Sequence, residues 1–178
     1  MNFKKILVPV TLSSDSRAAV TVASRLAEEC GASIILLHAV QLAIAGEERG
    51  IPRGRLVDEL CRDAEVQMRQ FVDTVRVSVP VEFVACEGRP ADVIVRQARA
   101  LAADVIVMYT HGKRGWLRWL HRRTALRVLQ HAPCLVWLVS PNRRNGSVTL
   151  AIVDHTTTND KQRPALDHEH PRPMSSIL

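Results

Sequence analysis

Four short apolar runs constrain this chain more than any other feature: residues 5–10 (KILVPV), 33–40 (SIILLHAV), 103–109 (ADVIVMY) and 134–139 (CLVWLV). None alternates apolar with polar side chains, as a strand with one wet face does, and each is too short for a core helix. A strand that is apolar on both sides needs cover on both sides. Parallel sheets provide it, because each crossover between strands lays a helix on the sheet.

The intervening segments have helical spacing. Ala19, Val22, Ala23, Leu26, Ala27 and Cys30 form one stripe, closed by Gly31, a residue common just past helix ends. Leu56, Leu60, Ala64, Met68, Phe71 and Val75 form a longer stripe, after a glycine-rich loop over 41–54, and 79–86 then supply another strand. Pro90 suits a first helical turn after Gly88-Arg89, and Val93, Ile94, Gln97, Ala98 and Leu101 continue that helix. A fourth helix is predicted over 124–131, stopped by Ala132-Pro133.

The order β-α-β-α-β-α-β-α-β predicts an α/β domain over 1–140 with a doubly wound parallel sheet, helices on both faces. Ligands of such sheets lie beyond the carboxyl ends of the strands, where the strand order reverses. The loops at 11–14, at Val40 and at 110–123 are expected to meet there. Ser13 or Ser14 is expected to cap the first helix. Pro9, lacking an N–H, is expected near its strand's end or at a distorted ladder position.

The net charge is +6, and its placement matters more than its size. Residues 1–112 hold 13 basic and 14 acidic side chains, whereas Lys113, Arg114, Arg118, Arg122 and Arg123 crowd into one stretch without an acid. So focused a patch fits a phosphate, an acidic partner or an acidic lipid headgroup, and argues against a nucleic-acid duplex. Trp116 and Trp119, interleaved with these arginines, read either as interfacial anchors or as packing at a sheet edge or dimer contact.

No apolar run approaches the roughly 20 residues of a membrane span, and the start does not resemble a signal peptide, so a cytoplasmic protein is expected. Cys30, Cys61, Cys86 and Cys134 form no C-x-x-C pair and are expected to be buried free thiols. His38 reads as a satisfied core histidine. No nucleophile and base stand at catalytic spacing and no paired carboxylates flank the basic stretch, so binding is expected rather than turnover. No metal site is expected either, and the run Asp167-His168-Glu169-His170 reads as solvated. Within 141–153, the segment 146–153 (GSVTLAIV) reads as an added strand or as a contact with a second chain, and the sequence leaves both open. Residues 154–178 have little to bury and are expected to form a disordered tail.

The pieces ILVPV, the helix ending at Gly31, IILLHAV, Gly88-Arg89-Pro90-Ala91, ADVIVMYTHGKRG and HAPCLVWLV, in this order and spacing, resemble the universal stress protein (UspA-like) family over about residues 3–140. The resemblance implies a five-stranded parallel sheet in the order 3-2-1-4-5, adenine nucleotide alpha-hydrolase-like, with homodimerisation usually through the last strand. In one subgroup it implies ATP held by a motif G-x2-G-x9-G-[S/T]. Laid on this chain, the first glycine falls on Tyr109, the second is kept as Gly112, and the final pair falls on Arg122 and Arg123. The acidic residue that often contacts adenine falls on Thr11, while Ser13 is retained.

The site implied by the resemblance draws on Val10, Thr11, Ser13, Ala39, Met108, Tyr109, His111, Gly112, Arg122, Arg123 and Thr124. His111 is expected to fix the loop, and Thr124 to stand in, one place late, as hydroxyl and helix cap. Tyr109 puts bulk where a glycine lets backbone approach a ligand. The two arginines remove a close-contact glycine and a hydroxyl but add fixed charges suited to phosphate. The expectation is a degraded ATP loop that has lost saturable ATP binding, so no cofactor is certain, with ATP or another phosphate-bearing ligand left open as what the stretch could still take. Its rival is a nucleotide-binding protein with slow phosphotransfer or ATPase activity.

Overall fold

The computed structural model describes residues 2–13, 16–42, 52–109, 118–141 and 148–153, with backbone alone for 118–122, 141 and 148–153. Strands β1 (Lys5–Pro9), β2 (Ser33–Val40), β3 (Val81–Glu87), β4 (Val105–Tyr109) and β5 (Leu135–Pro141) alternate with four helices, and β6 (Val148–Val153) follows. The helices are α1 (Arg17–Cys30), α2 (Arg53–Val75), α3 (Pro90–Ala100) and α4 (Arg118–His131).

The first five strands are parallel in the order β3-β2-β1-β4-β5, as the resemblance implies. The sheet has six strands, however, because β6 pairs antiparallel with β5 from Val136↔Val153 to Pro141↔Val148. A short connection can return a chain only antiparallel, which is why this edge strand breaks the parallel pattern.

Side-chain alternation along the central strands divides the interior into two layers. Ile6, Val8, Ile34, Leu36, Val105 and Val107 pack with α1 and with Met68 of α2 on one face. Leu7, Ile35, Leu37, Ile106 and Val136 pack with Val93 and Ile94 of α3 and Val128 of α4 on the other. Two helices therefore cover each face, and the change of face falls between β1 and β4. Gly31 ends α1 in the left-handed conformation, φ 65°, where its missing Cβ avoids strain.

Three expectations are corrected. Helix α4 begins at Arg118 rather than Thr124, so Arg118, Arg122 and Arg123 lie on a helix rather than in a loop. Thr124 is inside that helix, six residues past its first, and cannot be its cap. Only Cys134 of the four free cysteines is buried; Cys30, Cys61 and Cys86 are partly exposed, Cys30 and Cys86 because they pack at the margins of the two layers. Among the described residues no helix is long and apolar enough to cross a membrane.

Candidate nucleotide and anion site at the sheet reversal

Strands β1 and β4 are clamped at one end and parted at the other. At the amino end, Asp104 Oδ2 accepts the backbone N–H groups of Lys4 at 2.7 Å and Lys5 at 2.8 Å. The Asp104 N–H in turn donates to the Lys5 carbonyl at 3.0 Å. The ladder then runs over Ile6↔Val105 and Leu7↔Ile106, whereas β1 stays paired with β2 as far as Pro9↔Leu37.

Residue parity explains the parting. In a parallel ladder alternate residues direct their backbone groups to opposite neighbours. The Lys4 carbonyl and the Val10 N–H serve β2, bonding Ser33 N–H and Leu37 C=O at 2.9 Å each, whereas the Lys5 carbonyl serves β4. Pro9 has the parity of Lys5. Its missing donor therefore falls on the β4 side, and the crevice opens beyond it.

The loop after β1 lines this opening with hydroxyls. Val10 is buried and Thr11 exposed. Thr11 Oγ1 shares hydrogen bonds with Ser13 Oγ at 2.8 Å and Ser16 Oγ at 3.1 Å, and the Thr11 N–H donates to Ser16 Oγ at 3.0 Å. Leu12 between them takes a positive φ of 56°, a conformation uncommon for a branched side chain.

Ser16, 3% exposed, is the residue that sequence reasoning missed. It holds the N-cap position of α1 without a side-chain cap bond, since its hydroxyl turns back to Thr11. Ser13 does not act as the cap, since its hydroxyl engages Thr11 and its carbonyl accepts the Ser16 N–H at 3.1 Å; Ser14, the other expected cap, lies outside the described residues. From β2, His38 Nδ1 meets the Val10 carbonyl at 2.9 Å, which makes His38 a satisfied histidine that also fixes the floor of the crevice.

Of the remaining expected site residues, Ala39 and Tyr109 are partly buried and Met108 is 5% exposed. Met108 faces the α3/α4 layer, Ala39 packs against it, and Tyr109 packs against the α1/α2 layer. Tyr109 thus ends β4 on the same side of the sheet as Val10. Arg123 is exposed and Thr124 half-buried on α4. His111, Gly112, Trp116 and the side chains of Trp119 and Arg122 lie outside the described residues, as does the tail 154–178. Among the described residues no group of three or more His, Cys, Asp or Glu could hold a metal ion.

An open parallel sheet whose order reverses between two central strands defines a Rossmann-like α/β domain, the class in which ligands lie at such a reversal. Within that class the sequence profile of the Universal stress protein family matches residues 2–140, and the chain belongs to that family. It is 31% identical over 141 residues to Universal stress protein A homolog 2 of Coxiella burnetii, covering 78% of this chain and 95% of that protein. Among solved structures it is similar to the universal stress protein UspA from Lactobacillus plantarum, with 26% identity and a TM-score of 0.62, covering 78% of this chain and 98% of the other. A universal stress protein solved in complex with cAMP shares the fold at 19% identity and a TM-score of 0.61, covering 78% and 98%.

Proposed function

We propose that this universal stress protein acts by binding and partner contact rather than turnover, through a crevice whose ATP loop is degraded. The observation that carries this reading is Tyr109 at the end of β4, packed toward the α1/α2 layer, where the family's nucleotide loop has a glycine. Two further features support it. Thr11 replaces an acid and spends its hydroxyl on Ser13 and Ser16, and Arg122 and Arg123 replace the last small residues of the motif. The arginines would hold a phosphate by charge and by forked donors rather than by close backbone approach.

Homodimerisation would have to use the outer edge of β6 or displace it, since β5 already pairs with β6. The working domain is 1–140, and a cytoplasmic setting is proposed with it. Calorimetry near neutral pH tests the reading: no saturable ATP binding is expected, and a micromolar dissociation constant would overturn it.

A second reading is that the crevice still takes an adenine nucleotide, as the universal stress protein solved with cAMP does, and, further, that it turns ATP over slowly. Release of ADP that disappears on Gly112→Val would establish that reading in place of the first.

A further inference from the structure

A second recognition surface lies away from the crevice, on the outer side of the α3/α4 layer. Asp92, Val95, Arg96 and Arg99 of α3 and Arg127 and His131 of α4 enclose a groove of about 580 Å³. Its floor is apolar, from Ala91 and Val95, and its rim is basic. Asp92 is matched by Arg127 at 3.0 Å. Arg96 donates to the Glu87 carbonyl at 3.4 Å and Arg99 to the His131 carbonyl at 3.2 Å. Bonds to neutral carbonyls hold these two guanidinium groups in place, and among the described residues no carboxylate forms an ion pair with either. The groove therefore suits a segment that carries an apolar side chain followed by carboxylates.

The chain supplies such a segment, and the fold delivers it to the right end. Helix α4 finishes at His131, and β5 begins four residues later at Leu135. Strand β6 runs back along β5 and ends with Val153 opposite Val136, about one strand spacing of 4.8 Å away. Val153, the last described residue, therefore lies at the end of β5 that follows His131, and 25 residues of sequence come after it. Residues 164–169 read PALDHE, with Ala165 and Leu166 ahead of Asp167 and Glu169. Eleven extended residues reach about 36 Å, against about 16 Å for the whole length of α3.

We propose that residues 164–169 of this chain dock in its own α3–α4 groove, Leu166 on the apolar floor, Asp167 and Glu169 against Arg96 and Arg99. Thermolysin, which cuts before leucine and isoleucine, reads the contact on the full-length protein by mass spectrometry. Cutting before Leu166 is expected to be about tenfold slower than in the Asp167→Lys/Glu169→Lys variant, because docking withholds the bond. The bond before Ile177, beyond the docked segment, serves as the internal control. Arg96→Glu/Arg99→Glu is expected to expose the Leu166 bond as well, and combining both reversals to protect it again. Arg96→Glu alone, which gives up only the 3.4 Å bond, repeats the test with the least disturbance to the fold.

Equal cutting before Leu166 in all variants would overturn the proposal. Protection that rises with protein concentration would overturn it too, by assigning the groove to the tail of a second copy.

Discussion

At Asp104 a single carboxylate oxygen takes two backbone N–H groups from the first strand, and charge makes both bonds stronger than neutral ones. The same carboxylate lies near Cys134, whose thiol is pushed up to about 11 by burial first and by the Asp104 charge second. A thiol with a raised folded pKa stays protonated in the fold after the unfolded chain has ionised. Its contribution to stability is therefore complete below its ordinary value of 9.0 and is lost as pH rises from there to about 11. Asp104→Asn keeps the shape and removes the charge. It should cost about 1–2 kcal/mol at neutral pH by denaturant melt, and it should lower the Cys134 pKa, as read from alkylation rate against pH. An unchanged alkylation profile would mean that burial alone sets that thiol.

Among the elements, those with the plainest apolar pattern were the easiest to read. The strands at Ile6, Ile34, Val105 and Leu135 follow from runs apolar on both faces, and their order follows from resemblance. What stayed hidden depends on partners distant in sequence. Ser16 is invisible as a site residue because its role is set by a turn that brings Thr11 within reach. The early start of helix α4 is hidden because Arg118 to Arg123, polar at many positions, show little apolar periodicity even though the backbone is helical. The turn from β3 into α3, by contrast, is written in one residue. Gly88 adopts φ 140°, and a Cβ there would come within 2.9 Å of Val93 Cγ2, a side chain buried in the second layer. Gly88→Ala should destabilise the protein by about 1–3 kcal/mol, measured by urea unfolding, and a neutral result would show that the turn can relax.

For the whole molecule, the sheet is a wedge: β1 and β4 are tied by Asp104 at the amino end and part beyond Leu7↔Ile106. Parity assigns the parting to Pro9, since a residue there faces β4 with no N–H to give. Pro9→Val tests this directly. The new donor should add a ladder bond worth about 1 kcal/mol, while loss of the ring frees the unfolded chain and takes back about 0.4–1 kcal/mol. Global stability should therefore barely move, and a melting curve alone would show little. Hydrogen exchange separates the two effects: the new amide at residue 9 should be protected nearly as well as the amide of Leu7, because closing the strands buries it between Val8 and Val107. If that amide exchanges as fast as one in an exposed loop, something other than the missing donor holds the strands apart, and the crevice belongs to the turn at Thr11 rather than to the proline.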